Sequence, residues 1–197
     1  MTPEERPFVA PHASLDIEAN RRSRKWSPKE LLGRLLWDIV QIPCFQWIPR
    51  QLWWIRNSVL RLFGASIGPN VQIHPSVRIA IPWNLKVAAN SSIGDRAIIY
   101  NLGPITMGEN VSISQQAHLC AGSHDFTKPD LPLIKSPIVV EDGVWVCADA
   151  FVGPGVSIGK LAIIGARAVI TKDVDAYSIM VGNPARKLVK QRETRSE

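Results

Sequence analysis

Three histidines are the main candidates for chemistry in this sequence. His74, His118 and His124 all lie in its central part, and an imidazole that is neutral near pH 7 can accept a proton or bind a metal ion. Three such ligands could hold zinc, whereas one alone could act as a general base. His124 also opens a segment, residues 124–132, in which the regular pattern of the flanking sequence is missing. Segments of this kind often form loops that carry functional residues.

The three cysteines do not form a comparable site. Cys44, Cys120 and Cys147 have no metal-like spacing, and they are too few for a disulfide framework. No neighbouring charge gives an obvious way to activate Cys120 or Cys147 as a nucleophile, so we expect both to be small buried residues. A reducing compartment is the simplest interpretation.

Length and composition favour one globular domain with an attached segment. Of the 197 residues, 46% are hydrophobic, which excludes disordered, collagen-like and disulfide-scaffold proteins. The net charge of +6 arises at the two ends, because residues 65–185 carry 8 basic and 9 acidic side chains. A near-neutral body without a recognised module argues against nucleic-acid binding. Residues 1–30 contain no signal-peptide core, so we expect a cytoplasmic protein.

The first 64 residues divide into an arm and a tryptophan-rich segment. Residues 1–25 mix proline, glutamate and arginine and are expected to form a flexible arm. Ser27-Pro28-Lys29-Glu30 predicts a helix start, with serine as the N-cap and glutamate at the third helical position. A second helix is predicted from about Gln51 to Phe63. The helical segment 26–64 holds five of the seven tryptophans.

Two roles are open for this segment. A transmembrane span is disfavoured because Arg34, Asp38 and Pro43 interrupt the roughly 20 apolar residues that cross a bilayer. The aromatic side chains could pack against the body of the protein. Alternatively, residues 26–63 could lie as an amphipathic surface on the inner face of the cytoplasmic membrane or on a partner chain.

From Ile67 the sequence follows a repeat of six residues. In the C-terminal half an aliphatic residue recurs at every sixth position, and a small or β-branched residue follows four positions later. The aliphatic column is Val140, Val146, Val152, Ile158, Ile164 and Ile170, and its partners are Val144, Ala150, Val156, Ala162, Ala168 and Val174. A period of six fits neither an α-helix nor an alternating strand.

This repeat predicts a mainly β fold, a parallel β-helix in which three hexapeptides close one coil. It extends over residues 65–180, with about six coils of 18 residues between 67 and 174. The aliphatic residue points inward, and glycine or asparagine serves the turn. A loop near 124–138 leaves the coil where the period is broken, and residues 181–197 form a short basic C-terminal tail.

The chain resembles the hexapeptide-repeat acyltransferases, and among them the maltose/galactoside O-acetyltransferase branch and the colanic-acid acetyltransferases of exopolysaccharide biosynthesis. The resemblance covers roughly residues 60–190 and rests on five stretches of sequence. These are Leu62-Phe63-Gly64-Ala65, Ile113-Ser114-Gln115, Gly122-Ser123-His124-Asp125, Val181-Gly182-Asn183-Pro184-Ala185 and the block 138–174. It implies a left-handed parallel β-helix assembled as a homotrimer, with three equivalent sites between neighbouring chains.

The resemblance further implies an acetyl-CoA-dependent O-acetyltransferase that acts on a hydroxyl of a sugar or exopolysaccharide precursor. The family's catalytic histidine opens the projecting loop, sixteen residues after a repeat glycine, and Gly108 and His124 have this spacing. His124 would then be the general base of a direct reaction between two bound substrates. The backbone N–H of Ala148 would stabilise the oxyanion.

Binding residues follow from the same resemblance. Acetyl-CoA is expected as a co-substrate rather than a tightly bound cofactor, and no metal is expected. Its expected contacts are Trp145, Ala148, Ala166, Thr171, Lys172 and Arg186, the last three at the nucleotide end. Asn101 and Asp125 are the expected contacts to the acceptor.

Two other functions use the same fold. Gamma-class carbonic anhydrases bind zinc through three histidines, but their close pair is five residues apart, whereas His118 and His124 are six apart. In a coil of hexapeptides that spacing puts the two side chains on adjacent faces, where they diverge. The second alternative is a non-enzymatic trimeric scaffold that binds a membrane or a partner through residues 26–63.

Overall fold

The computed structural model describes residues 15–188, which form a parallel β-helix with three helices at its N-terminal end. Short strands stack in register on three sides of the coil, which we call sides A, B and C. Side A contains β1 (Ser66–Ile67), β4 (Leu85–Val87), β7 (Ile105–Met107), β12 (Ile138–Val140) and β15 (Ser157–Ile158). Side B contains β2 (Gln72–Ile73), β5 (Ser92–Ile93), β8 (Ser112–Ile113), β13 (Trp145–Val146), β16 (Ile163–Ile164), β18 (Ile179–Val181) and β19 (Arg186–Lys187). Side C contains β3 (Arg78–Ile79), β6 (Ile98–Tyr100), β9 (His118–Cys120), β14 (Phe151–Val152) and β17 (Val169–Ile170).

The predicted inward column is the core of this β-helix. Every aliphatic member from Val140 to Ile170 is buried, and so are the small partners that follow it, such as Ala162 and Ala168. Burying one such valine or isoleucine contributes about 1.5–3 kcal/mol to folding. The mainly β fold class and the parallel coil are therefore confirmed.

The coils are not all of the predicted length. On side B, Ile73, Ile93 and Ile113 are register partners 20 residues apart, whereas Val146 and Ile164 are 18 apart. The two extra residues of each lower coil lie at the corner between sides C and A. The projecting loop leaves the β-helix at this same C–A corner, so all departures from the six-residue period share one edge.

Left-handed backbone conformations turn the chain at the other two corners. Asparagine or glycine occupies several of these positions, as predicted, including Asn70, Asn90, Asn110 and Gly143. Five other residues with φ between 54° and 59° were not foreseen, and they are Arg96, Gln116, Asp149, Leu161 and Arg167. The left-handed conformation costs a residue with a Cβ about 1–2 kcal/mol, which the strand hydrogen bonds on both sides of each corner offset.

The helices are α1 (Ile17–Arg22), α2 (Pro28–Gln41) and α3 (Trp53–Leu62). The predicted start of α2 is confirmed, because Ser27 and Glu30 form a reciprocal capping box. Pro43 lies in a π-helical turn, Ile42–Gln46, that ends α2. A short 3-10 turn, Arg50–Leu52, leads into α3.

Helices α2 and α3 cover the open end of the first coil. On each of its three sides one backbone carbonyl points away from the next coil, and one side chain donates to it at 2.7–3.1 Å. The pairs are Arg61 with Ile67, Arg56 with Ile73, and Trp37 with Ile79. Trp37 and Arg56 are fully buried. We call these three donors the cap. They bond the carbonyls that would face a further coil if the β-helix continued in this direction.

The described parts of the arm and of the tail contain regular structure. In the arm 1–25, residues 1–14 lie outside the described residues, but Ile17–Arg22 is a helix bound to the projecting loop. In the tail 181–197, Arg186–Lys187 pairs antiparallel with Ile179–Val181, and residues 189–197 lie outside the described residues. Tertiary hydrogen bonds, which local composition does not reveal, hold the described residues of both segments, at Asp16 and Asn20 in the arm and at 186–187 in the tail. Within residues 15–188, none of the helices has the length and apolarity needed to cross a bilayer.

Candidate active site

His124 lies on a hairpin that leaves the C–A corner of the third coil. Ser123–His124 (β10) pairs antiparallel with Leu133–Ile134 (β11), and residues 125–132 form the tip. The imidazole is exposed, and its Nδ1 lies 2.6 Å from the carbonyl oxygen of Leu131. Because a carbonyl only accepts, Nδ1 of the neutral ring must carry the hydrogen. Nε2 then holds the free lone pair, as a general base requires.

Asp125 orders the first turn of the hairpin tip. The hydroxyl and the backbone N–H of Thr127 both donate to its Oδ1, and these bonds hold the pKa of the carboxyl below its usual value. The ammonium of Lys128 lies 3.8 Å from Oδ2. Asp125 is therefore a carboxylate whose hydrogen bonds shape the loop beside His124.

Trp145, Ala148 and Ala166 form a strip on a different edge. Trp145 faces outward on side B and is 46% exposed, and its Nε1 donates to the Ser114 hydroxyl at 2.9 Å. Ala148 and Ala166 occupy equivalent positions on successive coils at the corner between sides B and C, since Val146 is the register partner of Ile164. Ala166 is exposed, and Ala148 is half-buried. Because an alanine side chain is small, a narrow ligand can reach the backbone at these two positions of the strip.

The backbone N–H of Ala148 is free in the described part of the chain. Its carbonyl accepts a hydrogen bond from the Arg167 N–H at 3.0 Å, and the N–H groups on either side of it donate to Ile164 and Gln115. Its own N–H has no acceptor among residues 15–188. A fixed, unpaired N–H is what stabilisation of an oxyanion requires.

The expected nucleotide contacts lie higher on the coil. Thr171 and Lys172 are exposed at the C–A corner, two coils above the origin of the hairpin, and Arg186 is exposed on side B. Within one chain, His124 thus shares an edge with Lys172 but not with Ala148. A face of the coil separates the base from the expected oxyanion donor.

Asn101 does not face this site. Its side chain is fully buried, with Oδ1 accepting from the Ile81 N–H at 2.9 Å and Nδ2 donating to the Ile81 carbonyl at 2.5 Å. The amide replaces a strand hydrogen bond at the two-residue insertion of the C–A corner. Asn101 is therefore a structural residue and is not an acceptor contact in this conformation.

Tyr100 is the exposed residue at that position, and the sequence analysis missed it. It is 41% exposed on the outside of β6, one coil below the origin of the hairpin, and its ring meets the His118 ring edge-on. Strand alternation could have identified it, because Ile99 points inward and its neighbour must then point outward.

A groove of about 600 Å³ lies on side B below Trp145. The exposed positions of β2, β5 and β8 supply Gln72, Ser92 and Ser112, and Arg50 and Trp53 lie at its lower end. Hydroxyl and amide groups next to an aromatic ring suit a polar ligand with an apolar face, as a sugar has.

The histidines do not form a metal site in residues 15–188, where no cluster of three His, Cys, Asp or Glu side chains occurs. The His118 ring stacks edge-on with Tyr100 and Phe151 on side C, and burial lowers its pKa. His124 is on the hairpin instead, so the two side chains diverge. Burial raises the pKa of the Cys147 thiol, which disfavours the reactive thiolate.

Comparison with known proteins agrees with this architecture. Residues 137–172 match the family model for the bacterial transferase hexapeptide (six repeats). The "Putative colanic acid biosynthesis acetyltransferase WcaF" of Escherichia coli K12 is 43% identical over 150 residues, 76% of this chain and 82% of that protein. The galactoside O-acetyltransferase of the same organism is 26% identical, over 66% of each chain.

A solved structure shows the same fold. The hexapeptide-repeat acetyltransferase VCA0836 of Vibrio cholerae O1 biovar eltor, complexed with acetyl coenzyme A, superposes with a TM-score of 0.76 at 22% identity. The match covers 85% of this chain and 91% of the other. The left-handed parallel β-helix implied by the resemblance is therefore confirmed. Together with the extended identity to the colanic acid relative, this shows that the chain belongs to the hexapeptide-repeat acetyltransferases.

Proposed function

We propose that this acetyltransferase moves an acetyl group from acetyl-CoA to a hydroxyl of a sugar or exopolysaccharide precursor, with His124 as general base. The observation that carries the proposal is the hydrogen bond from His124 Nδ1 to the Leu131 carbonyl, which leaves Nε2 free. Nε2 takes the hydroxyl proton while the oxygen attacks the thioester carbonyl carbon. The tetrahedral oxyanion accepts a hydrogen bond from the Ala148 N–H and collapses, and the departing CoA thiolate takes the proton from the imidazolium.

Acetyl-CoA as the donor is supported by the complex of the Vibrio relative and by the chemistry of the strip. In this proposal Trp145 lies beside the thioester, and Ala148 and Ala166 leave room for the pantetheine arm. Thr171, Lys172 and Arg186 contact the phosphates, where cations and a hydroxyl are suitable partners. Asp125 acts on the acceptor through the loop that it orders.

The acceptor is proposed to be a saccharide on the basis of the groove and the relatives. The groove below Trp145 presents hydroxyl and amide groups from successive coils. One relative is named for a galactoside and the other for colanic acid biosynthesis. A CoA-release screen with acetyl-CoA tests this, using free sugars, nucleotide sugars and lipid-linked oligosaccharides as acceptors. Acceptor-dependent CoA release is expected for one saccharide class. Release that is independent of every acceptor would contradict the proposal.

A homotrimer with shared sites is the assembly that the geometry favours. His124 and Ala148 lie at different corners of one coil, so base and oxyanion donor meet only across a contact between two chains. Light scattering should give three chains per particle. A sharper test mixes His124→Ala chains with Ala166→Trp chains. The Ala166→Trp change is expected to block the path of the pantetheine arm. Mixed particles should regain activity that neither variant has alone, whereas a site built from one chain would regain none.

A second proposal concerns the outer face of α2, which we infer binds an anionic membrane surface. Trp37 points into the first coil, and the opposite face of the helix is apolar and between 46% and 61% exposed. These exposed residues are Leu31, Leu32, Leu35, Leu36 and Ile39. Trp47 and Trp54 of the same tryptophan-rich segment are also exposed, at 75% and 57%. Besides Arg56 and Arg61, which bond the carbonyls of the first coil, residues 15–64 hold seven Lys and Arg against four Asp and Glu, a charge that complements anionic lipid at the cytoplasmic face.

Vesicle flotation tests the membrane proposal. The protein should float with vesicles containing phosphatidylglycerol and less with pure phosphatidylcholine, and added salt should weaken the binding. Leu35→Glu should abolish flotation, and Val139→Glu, an exposed change on side A, is the matched control. If Leu35→Glu instead changes the particle mass in light scattering, the face is a contact between chains and the membrane proposal is wrong.

A further inference from the structure

The carbonyl that holds His124 belongs to an unusual residue. Leu131 has φ of 44°, a left-handed conformation that a leucine rarely adopts. It lies half-buried in the hairpin tip, where its N–H donates to the Lys128 carbonyl at 3.1 Å, and loop tips held by local contacts alone are usually mobile. Because His124 Nδ1 donates to the Leu131 carbonyl, the direction of the carbonyl also sets the direction of the imidazole. A group outside the hairpin that holds this carbonyl therefore also orients the imidazole.

Asn20 of helix α1 is that group. Its Nδ2 donates to the Leu131 carbonyl at 2.7 Å and to the preceding carbonyl, Asp130, at 2.6 Å. Its Oδ1 accepts from the Lys25 ammonium at 2.6 Å. The reversed amide would place an oxygen against two carbonyls and an NH₂ against an ammonium, so only one orientation fits.

Further contacts connect the two segments around Asn20. The Asp16 N–H donates to the Pro129 carbonyl at 2.8 Å. On the other side, Lys135 donates to the Lys25 carbonyl at 3.0 Å, and its ammonium lies 3.5 Å from the centre of the Trp26 ring. Residues 16–26 thus brace the returning strand of the hairpin, and Asn20 is the member that touches the carbonyl bound to His124.

We propose that Asn20 is a positioning residue for His124, acting through the Leu131 carbonyl to keep the hydrogen on Nδ1 and the lone pair on Nε2. The inference rests on the proposed function, since it assumes that His124 is the base. Partners that fix the tautomer and orientation of a functional imidazole typically change activity by about 10–100-fold when removed. Asn20 makes no contact with the strip that is proposed to bind acetyl-CoA, so it should affect kcat rather than the KM for acetyl-CoA.

The test uses two variants and two controls in the full chain. Asn20→Ala removes the donors, and Asn20→Asp keeps the shape of the side chain while replacing the donors by an oxygen that repels both carbonyls. Glu18→Ala changes an exposed residue of α1 that contacts only Arg22, and Lys135→Met removes a brace that does not involve Leu131. Both Asn20 variants should lower kcat by about 10–100-fold with little change in Tm, and the controls should stay close to wild type.

A spectroscopic readout does not depend on turnover. The ¹⁵N chemical shifts of the imidazole nitrogens distinguish a protonated from an unprotonated nitrogen, and only four histidines need assignment, with His124→Ala identifying its own signals. In mildly alkaline buffer the wild type should show hydrogen on Nδ1 of His124. Asn20→Ala and Asn20→Asp should shift the signals towards a mixture of tautomers, while both controls should not.

The outcomes separate this inference from the proposed function. If His124→Ala abolishes activity but the Asn20 variants keep wild-type kcat and tautomer, the base stands and the positioning role is wrong. If His124→Ala is fully active, the proposed function is wrong, and the tautomer experiment still reports on the Asn20–Leu131–His124 connection. Equal losses in Lys135→Met and Asn20→Ala would also contradict a specific role for Asn20.

Discussion

Side C of the coil and the hairpin that leaves its edge differ in how each residue is held. On side C, Ile79, Ile99 and Leu119 are register partners in successive coils and are buried to the same degree. In the hairpin, the Leu131 carbonyl is held by Asn20, which lies 111 residues away in sequence, and Leu131 belongs to no coil and has no register partner above or below it.

The difference indicates that coil residues mainly contribute to stability, whereas hairpin residues mainly contribute to activity. A coil residue has near-identical neighbours above and below, so its loss costs packing energy but leaves the hairpin unchanged. A hairpin residue contributes little buried area, so its loss should cost activity and leave the fold intact. Each prediction below tests one side of this division, in order of decreasing effect.

The largest effect is expected in the hairpin. His124→Ala should lower kcat by about 10²–10⁴, the usual contribution of a positioned acid–base group. Tm and the affinity for acetyl-CoA should hardly change, because the imidazole is exposed and is proposed to contact the acceptor rather than the nucleotide. Steady-state kinetics with direct CoA-binding measurements check this. Lys172→Ala should do the opposite, raising the KM for acetyl-CoA with less effect on kcat, and equal loss of CoA affinity in both variants would make His124 structural.

The next effect is expected inside the coil. Ile158→Ala removes a fully buried side chain from the inward column, and such truncations cost about 2–5 kcal/mol of unfolding free energy. Urea denaturation measures the loss. Ser157→Ala, the exposed neighbour on the same strand, should stay within about 0.5 kcal/mol. A kcat that fell in Ile158→Ala while the protein remained folded would break the proposed division.

The cap should give a smaller loss of stability. Arg56→Met keeps an apolar stem but removes the guanidinium that donates to four backbone carbonyls, including those of Ile73 and Pro49. Hydrogen bonds from a charged donor contribute about 1.5–3 kcal/mol each in net terms, and water can reach some of the freed carbonyls, so we expect a total loss of about 2–4 kcal/mol. Arg78→Met, an exposed arginine on side C, is the control. Equal stability of the two variants would mean that the cap adds nothing.

The smallest effect concerns pH. Burial lowers the pKa of His118 in the folded state below its unfolded value of about 6.5, so the unfolded chain takes up more protons as the pH falls below that value. This contribution to stability is present above about pH 6.5 and is lost at lower pH. His118→Phe should reduce the acid sensitivity of Tm between neutral pH and pH 5. Burial also lowers the pKa of His74, so His74→Phe is the comparison variant. If His118→Phe leaves the pH dependence of Tm unchanged, the His118 ring is solvated.

Sequence reasoning described the coil well because each coil residue repeats the role of another. The inward column, the small partners and the capping box of α2 all follow from local patterns. The two extra residues at the C–A corner are visible in the sequence as the spacing of eight between Ile99 and Met107, but that spacing alone does not say which side chain at the corner faces outward. Asn101 was therefore expected to face the acceptor, whereas the exposed residue is Tyr100.

The candidate site was only partly predictable. The position of His124 and the strip from Trp145 to Ala166 follow from motifs, and their proposed roles await the experiments above. The brace between Asn20 and Leu131 leaves no trace in a single sequence, because neither residue type is unusual and no pattern connects positions so far apart. Composition suggested a loose arm at residues 1–25, whereas long-range hydrogen bonds order residues 16–26.

The cap at the first coil also has a consequence for assembly. A parallel coil without a cap offers its outer carbonyls and N–H groups as a template for the next coil, and that coil could come from another chain. With Arg61, Arg56 and Trp37 on the three sides, this end cannot accept a foreign strand. A chain truncated before Ser66 would lose all three donors, and we expect it to associate with other chains through this exposed end.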